Sequence, residues 1–214
     1  LVSRLEVVAT VSGRNVADLM RIVGVDGLVY AGNHGLEWLE GGSKSVVQEA
    51  LPYLPAIAGA MEELRFCLGL PGVILEDTGI TGAIHYRLSP DPPAARRAIL
   101  KALRSCAAAE GLQVREGRMV VELRPPVRVD KGTAVERLVR QHRLRSTIFL
   151  GDDVTDLDAF RTLRALRGSG ECQALLLGVS SPEGPPDLPH ATDFLLEGVE
   201  AAVEFLERLA NRLS

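Results

Sequence analysis

The stretch FLGDDVTDLDAF, residues 149–160, carries four aspartates: Asp152, Asp153, Asp156 and Asp158. Ahead of it, STIFLG (146–151) reads as a short buried strand of β-branched and aromatic residues ending on a glycine. Behind it, Phe160, Leu163 and Leu166 recur at helical spacing, with Thr155 and Asp156 expected as helix caps. The aspartates therefore stand where a strand of an open α/β sheet ends, the edge at which such sheets bind ligands. Capping employs one carboxylate and leaves the cluster unexplained. A hard divalent cation accounts for it better: carboxylate oxygens suit Mg²⁺, and the ion removes their mutual repulsion.

The bulk numbers narrow the field. A chain of 214 residues holds one large domain or two small ones, and 46% hydrophobic with 24% charged residues is ordinary for a soluble globular protein. A net charge of -4 carries no basic footprint for nucleic acid. No apolar run approaches membrane-spanning length, and no charged stretch followed by an apolar one opens the chain. Cys67, Cys106 and Cys172 are odd in number, far apart and without metal-ligand spacing. They read as buried thiols of a reducing cytoplasm.

Outward from the aspartates, strands alternate with helices, the pattern of a parallel α/β sheet. Leu5 to Val11 (LEVVATV) reads as a strand buried on both faces, Val16 to Val23 as a short helix, and Leu28 to Ala31 as a second strand ending at GNHG. Val46 to Leu70 is a long helical stretch broken in its first half by Pro52 and Pro55. Further helices are expected at Ala134–Arg140, after the aspartates, and at Val199–Leu209, with a buried strand at Ala174–Val179.

The middle of the chain has a different period. GAIHYRL and VVELRP alternate, as half-buried antiparallel strands do, with Ile84, Tyr86 and Leu88 opposing His85 and Arg87. In the second strand Val121 and Leu123 oppose Val120, Glu122 and Arg124. Ala94 to Ala109 between them is an amphipathic helix, with Ile99, Leu103 and Cys106 inward. One helix covers one sheet face, so the face with His85, Arg87, Glu122 and Arg124 is expected to stay polar and open. Residues 72–125 then form a small inserted α+β domain, a lid on a Rossmann-like core made of 1–71 and 126–214.

Three strand ends converge on one sheet edge: Ser12 and Arg14 from the first, Gly32, Asn33, His34, Gly35 and Glu37 from the second, and the aspartates from the third. Lys131 joins them at a helix start, with Gly132 leaving it room. A hydroxyl, a lysine and a carboxylate-bound Mg²⁺ together make a phosphate site.

VSGR (11–14), Lys131 and GDDVTDLDAF (151–160) resemble three of the four motifs of the haloacid-dehalogenase-like phosphatases. YAGNHGLEW (30–38), AIHYR (83–87), EGRMVVELRPP (116–126) and the DKG at 130–132 are similar, more narrowly, to the trehalose-6-phosphate phosphatase family. The resemblance implies a Rossmann-like core with an inserted cap, Mg²⁺, and hydrolysis of a sugar phosphate through an aspartyl-phosphate. It implies that Ser12 and Lys131 hold the phosphoryl group and that Asp152 and Asp153 hold the metal, with Asp152 counted among the catalytic positions. His34, Glu76, Arg118 and Glu122 are the expected sugar contacts, and Arg14, Asn33, Gly35, Glu37 and His85 are expected to bind substrate with them. A trehalose-phosphate synthase is the expected protein partner.

Three departures stand against the family pattern. Its opening Asp-x-Asp, nucleophile and general acid/base, is missing ahead of VSGR, where only Leu1 to Thr10 stand. The chain, which opens on a leucine, is therefore expected to be a truncated fragment that lacks the first core strand and is inactive as given. Thr78 takes the place of a cap lysine two residues after Glu76, and Leu157 that of a glutamate after Asp156. Two alternatives stay open: a phosphatase for another glycosyl phosphate, such as sucrose phosphate or mannosyl-3-phosphoglycerate, and a non-catalytic module that binds sugar phosphate.

Overall fold

The computed structural model describes residues 1–213. The chain divides into two compact units, residues 1–45 with those from 128 onward, and residues 46–127.

In the first unit β1 (Ala9–Val11) leads through α1 (Val16–Val23) to β2 (Val29–Gly32), which pairs parallel to β1. Asn15 caps α1, its side chain accepting the Asp18 N–H at 2.8 Å. The expected strand from Leu5 is shorter than its sequence suggests. Residues 1–5 form a turn closed by the Leu5 N–H on the Leu1 carbonyl, because β2 offers a ladder only as far back as Val8. After a short 3-10 turn at Asn33–Gly35, β3 (Glu37–Glu40) returns antiparallel to β2, and β4 (Ser43–Val46) lies beside β3. This hairpin was not expected from the sequence. Gly41 and Gly42, both at positive φ, supply the two-residue loop that hairpin twist favours.

The second unit opens with a 3-10 segment and α2 (Leu54–Cys67). A sheet of order β5-β6-β8-β7 follows, every pair antiparallel, from β5 (Ile74–Asp77), β6 (Gly82–His85), β7 (Gln113–Gly117) and β8 (Val120–Arg124). Between β6 and β7, α3 (Pro92–Ser105) starts on an Asp91 cap with proline in its first turn. Leu75, Ile84 and Val121 stand in register and pack with Ile57, Met61 and Leu64 of α2 and Ile99 and Leu103 of α3. Two helices therefore share one sheet face, where one was expected, and contacts of α2 place the start of this unit at Val46. A Cβ on Gly82 would meet the Met61 sulfur at 2.3 Å, which is how closely α2 lies on the sheet.

Some details differ from the alternating pattern. Leu88, expected inward, is 69% exposed because β6 ends at His85 and the chain turns, with the Ser89 N–H on the Tyr86 carbonyl. Arg124, expected on the open face, is buried. Cys106 and Cys172 are buried as expected, but Cys67, the last residue of α2, is exposed.

Back in the first unit, α4 (Lys131–Gln141) leads to β9 (Ser146–Gly151), α5 (Asp156–Gly168), β10 (Gln173–Val179), α6 (Leu188–Ala191), β11 (Phe194–Leu196) and α7 (Gly198–Arg212). The three strands run parallel in the order β11-β10-β9. Phe160 meets Phe149 edge to face at 5.2 Å in a core completed by Val135, Leu163 and Leu176, and Val11 of β1 packs on the same cluster. Among the described residues, β1 has a ladder partner only in β2 and β9 only in β10. No helix there is long and apolar enough to cross a membrane.

Asp193 ties α5 to β10. Arg167 donates to both its oxygens, at 2.7 and 3.0 Å, and the Leu176 N–H donates to it at 2.9 Å. The Arg167 guanidinium, with help from that N–H, holds the Asp193 carboxyl below its ordinary value. A depressed carboxyl contributes stability above its unfolded pKa and loses it as pH falls through the folded one. Asp193→Asn should therefore cost on the order of 1 kcal/mol at pH 7, after allowing for its partial exposure. The gap from the native chain should shrink below about pH 4. Urea midpoints at pH 7 and pH 3 measure this, and a gap that stays constant would mean that shape, not charge, carries the contact.

Candidate functional site

The turns after β1 and β2 are stitched together. The His34 N–H donates to the Ser12 carbonyl and the Asn33 N–H to the Arg14 carbonyl, both at 2.8 Å, while the Ser12 hydroxyl accepts the Arg14 N–H at 3.2 Å. Asn33 and His34 both hold positive φ, 49° and 61°, which costs a residue with a side chain roughly 1–2 kcal/mol. A Cβ on Gly13 would stand 2.8 Å from His34 Nε2, so the imidazole lies on the Ser12–Gly13 turn. Gly35 faces α4, where a Cβ would stand 2.9 Å from that of Ala134.

Two successive residues of β3 hold this arrangement. Glu37 Oε1 accepts the Val16 N–H at 2.6 Å and the Asn33 amide at 3.0 Å. Burial pushes the Glu37 carboxyl above its ordinary value, opposed by the Val16 hydrogen bond and the charge of Lys44. Trp38, buried, donates its indole N–H to the Gly35 carbonyl at 2.7 Å, and the Arg137 guanidinium of α4 lies 4.2 Å over its ring. Trp38 and Arg137 escaped the sequence reading. The Gly41–Gly42 loop that announces the hairpin of Trp38 was the signal available for it, and none marked Arg137 on α4.

At the third strand end, Lys131 Nζ donates to Asp156 Oδ1 at 2.7 Å, with Lys131 7% and Asp156 4% exposed. The other oxygen of Asp156 accepts the N–H groups of Asp152 and Asp153 at 3.1 and 3.0 Å. Asp156 was expected to cap α5. It is instead the first helical residue, its carboxylate turned back on the loop and on Lys131, and Thr155 makes no capping bond. Asp158 pairs with Arg161. Two of the four aspartates thus have cationic partners inside the protein, which leaves Asp152 and Asp153 exposed at the end of β9. Among the described residues no three His, Cys, Asp or Glu side chains gather as a ready metal cage. Two uncompensated carboxylates suit a hard cation that keeps several of its waters, as Mg²⁺ does.

The second unit presents its own candidate residues on the sheet face away from α2 and α3. Glu76, Ala83, Glu122 and Arg115 stand in one register row, and His85 in the next donates to or accepts from Glu76 at 3.1 Å. Arg118 is exposed in the two-residue turn between β7 and β8. Thr78 belongs to the β5–β6 turn, its hydroxyl 3.0 Å from both the carbonyl and the hydroxyl of Thr81. The structure thus groups Ser12, Arg14, Asn33, His34, Gly35 and Glu37 at two joined turns, and Lys131 with the loop of Asp152 and Asp153. Glu76, His85 and Glu122 share one sheet face of the other unit.

Removing one member of a buried ion pair strands the other. Asp156→Ala should lower the unfolding free energy by about 3–5 kcal/mol, whereas Lys131→Met with Asp156→Leu should recover most of that loss. Urea titrations of the native chain and both variants make the comparison. Equal losses would assign the dominant role to the backbone bonds from Asp152 and Asp153.

A family profile described as trehalose-phosphatase matches residues 1–185. The trehalose-phosphate phosphatase of Mycolicibacterium paratuberculosis is 36% identical over 214 residues, covering 96% of this chain and 53% of its own length. The chain spans about half the length of the curated relatives it matches. Among solved structures, a trehalose-6-phosphate phosphatase related protein superposes with a TM-score of 0.71 at 24% identity, covering 96% of this chain and 82% of that one. The C-terminal domain of the C. albicans trehalose-6-phosphate phosphatase gives 0.66 at 20%, covering 97% and 80%. At these identities the superpositions speak for the fold alone, and the profile match with the 36% identical relative carries the rest: the chain belongs to the trehalose-phosphatase family.

Proposed function

We propose that these residues serve a Mg²⁺-dependent phosphatase that converts trehalose 6-phosphate and water to trehalose and phosphate, in the cytoplasm. One observation carries the reading. A buried lysine at a helix start shares its carboxylate partner with the loop that presents two exposed carboxylates at a strand end. In this reading the Ser12 hydroxyl donates to a phosphoryl oxygen, and Lys131 supplies a fixed positive charge to another. Asp152 and Asp153 would hold Mg²⁺, which supplies further charge neutralisation when bound. Arg14 and His34 contact the substrate from the joined turns, and Glu76, His85, Arg118 and Glu122 accept from or donate to sugar hydroxyls. A trehalose-phosphate synthase is the partner that this chemistry calls for.

The nucleophile has to come from elsewhere. The single Asp-x-Asp among the 214 residues, Asp156 to Asp158, lies on α5 with both carboxylates paired. We therefore place the nucleophile on a strand outside these residues. The open edges of β1 and β9 support that placement, since Val11 and Phe149 pack on one core cluster. Buried Thr10 Oγ1, mid-way along β1, has no hydrogen-bond partner among the described residues. Thr78 favours a second reading, another glycosyl phosphate as substrate, because its hydroxyl is engaged inside its own turn.

Phosphate release tests both readings, using the chain alone and the chain extended at its amino terminus by a strand carrying Asp-x-Asp. The extended protein should hydrolyse trehalose 6-phosphate with Mg²⁺ and lose at least about 10²-fold in kcat on Asp152→Asn, while the 214 residues alone should stay at background. Equal rates with and without the extension would place the nucleophile among residues assigned here to metal. A preference for another sugar phosphate would select the second reading.

A further inference from the structure

Glu37 and Trp38 are neighbours on β3, so their side chains leave opposite faces of the strand. Glu37 reaches the first N–H of α1, at Val16, and the Asn33 amide. Trp38 reaches the Gly35 carbonyl and stacks under Arg137 of α4. The turn between those contacts holds two non-glycine residues at positive φ, a conformation that neighbouring structure has to enforce. It also carries His34, whose ring lies on the Ser12–Gly13 turn, and Gly35, which abuts α4 near Lys131.

We propose that Glu37 and Trp38 are positioning residues. Together they set the α1 end that carries Ser12 and the α4 end that carries Lys131 in fixed register about the Asn33–Gly35 turn. The proposal rests on the reading of Ser12 and Lys131 as the phosphate-holding pair. Glu37 acts through the turn and not on the ligand: its Oε1 serves two donors of the protein itself, and charge-assisted bonds of this kind are strong enough to offset the strain. A half-buried carboxyl is costly to keep, which suits a group retained for what it fixes. Gly32 adds to the case, since a Cβ there would meet Glu37 Oε1 and the Arg14 carbonyl at 2.9 Å and the Val16 nitrogen at 2.7 Å.

Trp38 is the one tryptophan of the sequence, so fluorescence reports this turn alone. The test measures acrylamide quenching of Trp38 and, by calorimetry with Mg²⁺ present, the affinity for inorganic phosphate, on the 214-residue chain. Glu37→Ala should raise the quenching constant at least about twofold and weaken phosphate at least about tenfold, whereas Glu37→Gln, which keeps an acceptor oxygen in place, should stay within about twofold on both. Asn33→Asp keeps the turn conformation but opposes two carboxylates, and should repeat the alanine result if Glu37→Ala does not fold. Unchanged quenching in both Glu37→Ala and Asn33→Asp would overturn the proposal. So would a glutamine variant as weak for phosphate as the alanine one with native quenching, which would put the Glu37 charge on the ligand. If the native chain binds no phosphate while quenching follows the expected order, the phosphate-site reading fails and the functional half of the proposal falls with it.

Discussion

The Lys131–Asp156 pair fixes more of this protein than any other contact. Both groups are almost wholly withdrawn from water, so each depends on the other to offset the desolvation of its charge. Asp156 opens α5, Lys131 opens α4, and the second oxygen of Asp156 collects the loop that leaves β9. One carboxylate therefore joins the first residues of two helices and holds the loop that presents the exposed Asp152 and Asp153. Two glycines make it sterically possible. A Cβ on Gly151 would lie 2.6 Å from Asp156 Cγ, and one on Gly132 would lie 2.5 Å from Thr162 Oγ1 and 2.8 Å from the Asp158 carbonyl.

The second unit solves a different problem with the same economy of contacts. Its sheet is apolar on one face, and two helices cover that face completely at Ile84, Val121 and Leu123. Charged residues at the rim of the covered face pair with the helices themselves, Asp77 with Arg65 of α2 and Glu116 with Arg96 of α3. Glu76, His85 and Glu122 on the other face are left to solvent or to a ligand, which is the division that alternating strands predict.

The parts legible in the sequence were those with a strong period or a dense chemical cluster. STIFLG followed by the aspartates gave strand, loop and helix correctly, and the alternation in AIHY and VVEL gave the inner strands β6 and β8. The edge strands β5 and β7 were not seen, because ILED and QVREG bury almost nothing and exist through main-chain pairing to their neighbours. The direction of the Asp156 side chain was equally hidden. A carboxylate at a helix start statistically caps that helix, and only the arrival of Lys131 from another element turns it round. Ser12, Asn33, His34 and Gly35 could be gathered by reasoning about strand ends, but the partners of Glu37 could not, since β3 was unrecognised.

The hairpin of β3 and β4 has a bearing on which changes of chain length this family member can accept. A strand turns successive side chains to opposite faces, so inserting or deleting one residue between Gly35 and Glu37 would exchange the destinations of the carboxylate and the indole. Glu37 would then face α4 and Trp38 the amino end of α1, so the Val16 N–H would lose its acceptor and the Gly35 carbonyl its indole donor. Past Glu40, whose carboxylate accepts from Gln141 at 2.8 Å, the constraint relaxes. Gly41 and Gly42 sit in open space, with no atom within 4 Å of a built Cβ, so the loop can lengthen without disturbing either contact. Length variation among descendants of this chain should accordingly collect at the hairpin tip and spare the single residue, Leu36, that separates the turn from the strand.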